Sequence, residues 1–137
     1  MKKYILIYIF IYLFISTNCG RKNENLHNNI TFINNSDYSL FVCGDFWYPD
    51  TSINFGNPLL SGDYYKVFAN SSADPLKISD TYEGRFKQHN KLMIFVFDSH
   101  ILETNSWDSV KSKYIVLKRY DLNLDDLNKL NWTVDYP

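Results

Sequence analysis

Lys91-Leu92-Met93-Ile94-Phe95-Val96-Phe97-Asp98 is the stretch from which the fold is read: six consecutive apolar residues held between a lysine and an aspartate. A strand covered on one face alternates apolar with polar side chains. This one does not, so both of its faces must be covered, and it is expected to be a central strand. Its neighbours are sought on either side. Ile30 to Ile33 and Tyr38 to Phe46 read as strands, and the dense turn signal Asn34-Asn35-Ser36-Asp37 between them predicts a β-hairpin. In the second of these strands Tyr38, Leu40 and Val42 fall on one face, Phe41 and Cys43 on the other.

Further along, Tyr64 to Ala69 predicts a third strand, Asn70 to Pro75 a turn-rich break and Leu76 to Ile78 a short edge strand. Asp80 to Gln88 is polar and reads as a loop or a single helical turn. Ser106 is placed to cap a short turn through Trp107, Asp108 and Val110. Tyr114 to Leu122 is the next strand. Asn123 then caps a helix whose first turn carries Asp125 and Asp126, where the helix dipole favours acids, and whose apolar face is Leu124, Leu127 and Leu130. Trp132 to Tyr136 closes the chain. With 18% aromatic residues and many β-branched ones, the expectation is an all-β, antiparallel β-sandwich of the immunoglobulin or fibronectin type, with one short helix before the last strand.

The N-terminus predicts an address. Lys2 and Lys3 precede an apolar run from Tyr4 to Ile15, then Ser16-Thr17-Asn18 and Cys19-Gly20, the layout of a secretion signal ending at a cysteine. The run falls well short of the roughly 20 residues that a membrane span needs. Asn18 suits ordinary signal peptidase badly, whereas Cys19 resembles the lipid-modified cysteine of bacterial lipoproteins, with Thr17 acceptable two places before it. Ser16 and Asn18 depart from the commonest residues at their positions. The expected organisation is therefore a lipoprotein signal peptide over 1–18, a flexible tether over 19–28 and a β-sandwich domain over 29–137, with Cys19 acylated. The chain is expected in the cell envelope, its partner the membrane through the lipid anchor, most naturally the outer membrane. No acidic run follows Cys19, so the periplasmic and surface faces both stay open.

Charge and composition exclude some chemistry. The formal charge of −1 includes the two leader lysines, and a mature chain still more acidic lacks a nucleic-acid footprint. With Cys19 acylated, Cys43 has no partner in the chain, so no internal disulfide is expected and Cys43 reads as a buried, inert thiol. There is no glycine-rich phosphate loop, paired-cysteine zinc site, calcium loop or nucleophile elbow, so no enzyme activity, metal or cofactor is expected. Asp98-Ser99-His100, with His89 approaching from the preceding loop, is a candidate metal or acid/base site set against a plain solvated turn. Lys118 and Arg119 face opposite sides of their strand. Arg119 is expected either to pair with Asp121 or Asp135 or to bind a ligand.

Between Gly44 and Pro58 no period is visible, and the loop carries Phe46-Trp47-Tyr48-Pro49-Asp50-Thr51. Its aromatic rings either form a platform for a sugar ring or a partner side chain, or fold back to cap the sandwich. Trp47, Tyr48 and Asp50 are the candidate binding residues.

Three motifs together, Tyr48-Pro49-Asp50-Thr51, Lys118-Arg119-Tyr120-Asp121-Leu122 and Asn131-Trp132-Thr133, give a chain that resembles short uncharacterised lipoproteins of Bacteroidota over nearly its whole length. The resemblance implies the envelope address and brings no catalytic role. In the same group Asp108-Ser109-Val110 resembles the acceptor motif for protein O-glycosylation, which would make Ser109 the modified residue. The other reading is an ordinary helix-turn surface. The four Asn-x-Ser/Thr tripeptides read as coincidence in so Asn-rich a chain. The functional expectation is a membrane-anchored, non-enzymatic binding module for a protein or glycan of the envelope. The alternative is an immunity or inhibitor lipoprotein that neutralises an envelope-acting toxin or hydrolase.

Overall fold

The structure, a computed structural model, describes residues 26–137. The leader, Cys19 and most of the tether lie outside the described residues. In chain order the strands are β1 (Thr31–Asn34), β2 (Leu40–Asp45), β3 (Lys66–Val67), β4 (Ser71–Ala73), β5 (Leu92–Asp98), β6 (Lys118–Leu122) and β7 (Thr133–Tyr136). The helices are α1 (Tyr82–Phe86), α2 (Ser99–Thr104), α3 (Trp107–Ser112) and α4 (Leu124–Lys129), with 3-10 turns over Pro58–Tyr65.

The apolar run is β5, and it is central as expected. It lies between β2 and β6 in an antiparallel sheet of order β3-β2-β5-β6. Its lack of alternation is explained by what lies on each side. Leu92, Ile94 and Val96 join Leu40, Val42, Phe32, Val134 and Leu127 in one core, whereas Met93, Phe95 and Phe97 join Phe41, Ile53, Leu102 and Val110 in a second. The first core lies between this sheet and a smaller sheet of order β4-β1-β7, with α4 and Tyr82 of α1 closing it. The second core is covered by helical segments and loop, through Leu102 of α2, Val110 of α3 and Ile53.

The architecture is sheet-rich, and it departs from an all-β antiparallel sandwich in three ways. β1 runs antiparallel to β4 but parallel to β7, so the smaller sheet is mixed. Four short α-helices occur among the described residues, where one was expected. The three besides α4 are only five or six residues long, too short for helical periodicity to show in the sequence, although α1 and α3 fall where single helical turns were read. One face of the central sheet is also roofed by non-strand elements.

The expected hairpin between β1 and β2 does not form, because the two strands belong to different sheets. Asn34 turns the chain from one to the other. Fully buried, it donates through Nδ2 to the carbonyls of Tyr38 at 2.7 Å and Phe68 at 3.1 Å, and its Oδ1 accepts from the Ser36 amide at 3.0 Å and hydroxyl at 2.6 Å. A dense turn signal here marks a crossover held by one side chain. Other boundaries shift too. The third strand shortens to Lys66–Val67, the Ser71–Ala73 part of the expected break becomes β4, and Leu76 to Ile78 is not a strand. Leu76 is instead a core residue whose carbonyl accepts from the Tyr82 hydroxyl at 2.5 Å.

The caps read from the sequence are present. Ser106 Oγ accepts from the Ser109 amide at 3.3 Å, and Asn123 forms a capping box with Asp126, with bonds of 2.9 and 3.0 Å. After α4 the backbone is left-handed at Asn131 and Trp132, with φ of 48° and 59°. For a residue as bulky as tryptophan this is strained. The indole compensates by packing: it is buried, stacks on His27 with ring centroids 3.9 Å apart, and donates to Asn128 Oδ1 at 3.2 Å.

That stacking ties the first described residues to the domain. The His27 carbonyl accepts from the Tyr82 amide at 2.8 Å and the Asn28 carbonyl from Ile78 at 2.9 Å, so the last two residues of the expected tether are bound to the domain.

Candidate functional site: the Trp47 loop and the adjoining cleft

Where β2 ends, the three aromatic residues of the loop part company. Phe46 turns inward, its ring 6.1 Å from Tyr82, 5.4 Å from Phe86 and 5.3 Å from His89. Trp47 turns outward and is 66% exposed, and Tyr48 is exposed with the Lys91 ammonium 4.8 Å from its ring centroid. Phe46 thus packs against the core, as the capping reading expected, while Trp47 and Tyr48 are left exposed on the loop.

The loop is built by local hydrogen bonds. Asp45 Oδ1 accepts from the Trp47 amide at 3.1 Å, the Asp50 amide donates back to the Trp47 carbonyl at 2.9 Å, and the Asp50 carboxylate accepts from the Ser52 amide at 2.9 Å and Asn54 Nδ2 at 3.2 Å. Ser52 and Asn54 hold the Asp50 carboxyl below the usual range, whereas burial pushes that of Asp45 up. Asp50 thus serves as the staple of the turn that presents Trp47. Its exposed carboxylate already has two partners.

Beside this loop lies an open cleft of about 590 Å³ between α1 and α4. Phe86, Lys87, His89 and Asn90 line one wall, Asn123, Leu124, Asp125 and Asn128 the other. The chain from His89 through Asn90 to Lys91 joins cleft to loop, because Lys91 lies over Tyr48. The side-chain amides of Asn123 and Asn128 spend their oxygens on the Asp126 amide and the Trp132 indole. Their NH₂ groups are left as donors. The floor is set by Glu83, whose Oε2 accepts from the His27 amide at 2.9 Å.

The remaining candidates fall elsewhere. Asp98 caps α2, with Oδ1 accepting from the His100 amide at 2.7 Å, and His100 is exposed. His89 precedes β5 and His100 follows it, so seven strand residues, on the order of 20 Å, separate them and they do not meet. Among the described residues no group of three or more His, Cys, Asp or Glu side chains is disposed to hold a metal ion. Arg119 forms a bidentate pair with Asp121, Nε to Oδ1 at 2.8 Å and Nη2 to Oδ2 at 3.0 Å, and donates through Nη1 to the Tyr114 hydroxyl at 2.7 Å. The salt bridge foreseen in sequence is therefore present, on the nearer of the two acids. Ser109 is half-buried in the first turn of α3, between an exposed Asp108 and a fully buried Val110. Cys43 is buried, which pushes its thiol far up from its ordinary value. Cys19 lies outside the described residues. Among the described residues no helix is long and apolar enough to cross a membrane.

No protein-family model, curated protein or solved structure matches this chain. The cleft between α1 and α4 was not legible in the sequence, since its walls are contributed by residues some 40 positions apart with no shared motif.

Proposed function

We propose that this protein is a lipid-anchored lipoprotein of the cell envelope that acts as a non-enzymatic binding module, with a glycan as its ligand. The observation that carries the reading is the 66% exposed indole of Trp47 on a turn pre-built by Asp45 and Asp50, beside an amide-rich cleft. Sugar rings present an apolar C–H face and a rim of hydroxyls. A flat aromatic ring suits the first, and free amide donors with nearby carboxylates suit the second. A rigid turn also lowers the ordering cost of binding. The leader and Cys19 supply the address, on sequence grounds.

The test uses the detergent-solubilised full chain on an array of bacterial envelope polysaccharides and peptidoglycan fragments, beside Trp47→Ala and Asn128→Ala. Selective binding that falls at least tenfold in Trp47→Ala is the expected result, about 1.4 kcal/mol or more. Binding that survives both substitutions overturns the site. An array with no binder overturns the glycan.

A further inference from the structure

On one flank β2 has a full-length partner and on the other it does not. β5 pairs with it from Leu40 to Asp45, whereas β3 pairs only at Leu40 and Phe41, after which the chain has turned away into the 3-10 segment. The Ser99 amide donates to the Ser39 carbonyl at 3.1 Å, which sets the alternation: odd-numbered residues of β2 turn their backbone groups to β5, even-numbered ones away from it. Leu40 meets Val67, but the N–H and C=O of Gly44 point to the flank that β3 does not reach, and Gly44 is exposed.

Two cavities open at this point, and Gly44 and Tyr65 line both. One, of about 280 Å³, lies on the Cys43 and Phe55 side with Leu60 at its rim. The other, of about 230 Å³, lies on the opposite face of the sheet against Phe46, Leu76 and Tyr82, with Lys77 and Arg85 also lining it, Arg85 3.7 Å from the exposed carboxylate of Asp80. A short unpaired strand edge with one pocket above the sheet and one below has the form of a site for strand addition, where backbone bonds give affinity and successive side chains enter pockets on alternate faces.

We infer that the Gly44 edge of β2 binds an extended peptide of a protein partner, one carrying two adjacent large apolar residues and an acid two positions away. The adjacent apolar side chains enter the two cavities, each large enough for a leucine or phenylalanine. The acid lies on the same face as the second cavity and meets Lys77 and Arg85. Gly44 is suited to the contact because it has no side chain: a Cβ there would stand 3.2 Å from Leu76 Cδ2 and 3.3 Å from Leu92 Cδ1. Neither cavity includes Trp47 or Tyr48, so this surface is separate from the glycan site and does not depend on it.

The probe is a displayed library of random octapeptides selected on the detergent-solubilised full chain, followed by one enriched peptide added to isotope-labelled protein. Enrichment of the apolar pair with its acid is expected, with the free Gly44 amide exchanging rapidly and becoming protected on binding. Leu60→Asp, at a residue 86% exposed and so without consequence for folding, is expected to weaken the peptide at least tenfold, and Arg85→Glu to abolish the preference for the acid. No enriched pattern, or a bound peptide that leaves Gly44 exchange unchanged, overturns the inference.

Discussion

The imidazole Nδ1 of His27 lies 2.6 Å from Glu83 Oε1 while the backbone N–H of the same histidine donates to Oε2 at 2.9 Å, so one carboxylate clasps the point where the chain enters the domain. Both side chains are less than one-third exposed, and the ring is stacked on Trp132 besides. Burial acts to raise the Glu83 carboxyl, but its hydrogen bonds to His27 together outweigh that and lower it. A carboxyl lowered by folding adds stability above its unfolded value of about 4.3, and that stability is lost as pH falls through the folded value. Glu83→Gln is accordingly expected to cost about 1 to 2 kcal/mol in urea denaturation at pH 7. The gap from wild type should close as the pH is taken below about 4. A gap that is constant with pH would show that the carboxylate charge has no part in the clasp.

Asn34 carries the crossover between the two sheets. Asn34→Ala strands the buried Ser36 amide and takes one of two donors from each of the Tyr38 and Phe68 carbonyls, which keep the hydroxyls of Ser36 and Ser71, and is expected to destabilise by about 2 kcal/mol. Asn35→Ala, one residue on and exposed, should change stability by less than about 0.5 kcal/mol. Thermal unfolding of the pair separates a buried polar hub from a generic turn.

At β6 the guanidinium of Arg119 binds both oxygens of Asp121 and the Tyr114 hydroxyl, and these bonds raise its already high pKa further. A lysine cannot reproduce that fork. Arg119→Lys is expected to lose about 1 kcal/mol despite keeping the charge, as read by chemical denaturation in 0.5 M salt. Equal stability would mean that charge alone accounts for the contact.

Cys43 is 3% exposed, and its thiol is raised by burial, so the folded protein holds almost no thiolate. Labelling by a maleimide at pH 8, mapped to this residue by mass spectrometry, is expected to wait on unfolding. Its rate should then rise with urea along the denaturation curve. Prompt labelling in the native state would contradict the burial.

What the sequence reveals and what it hides differ for physical reasons. β5 is legible because an uninterrupted apolar run has only one comfortable place in a sheet. The Ser106 and Asn123 caps and the Arg119 pair are legible because their partners lie two or three residues away. The clasp on Glu83 is not, since 56 positions separate it from His27. β4 is built from Ser71-Ser72-Ala73, residues with no strand preference, and exists because Phe32, Ile33 and Asn34 offer them an edge. In the candidate site, neighbouring aromatic residues have the same chemistry in sequence. Only the fold shows that Phe46 faces the core and Trp47 the solvent.

The parallel pairing of β1 with β7 has a consequence in time. Thirty-one and 133 are neighbours, so the smaller sheet joins residues roughly a hundred positions apart. A ribosome delivers β1 roughly a hundred residues before β7, and until β7 follows Phe32 has no Val134 beside it. The first core therefore cannot close progressively as the chain emerges. That core stays open until β7 is available, and it locks in a single event when Thr133–Tyr136 arrives beside β1.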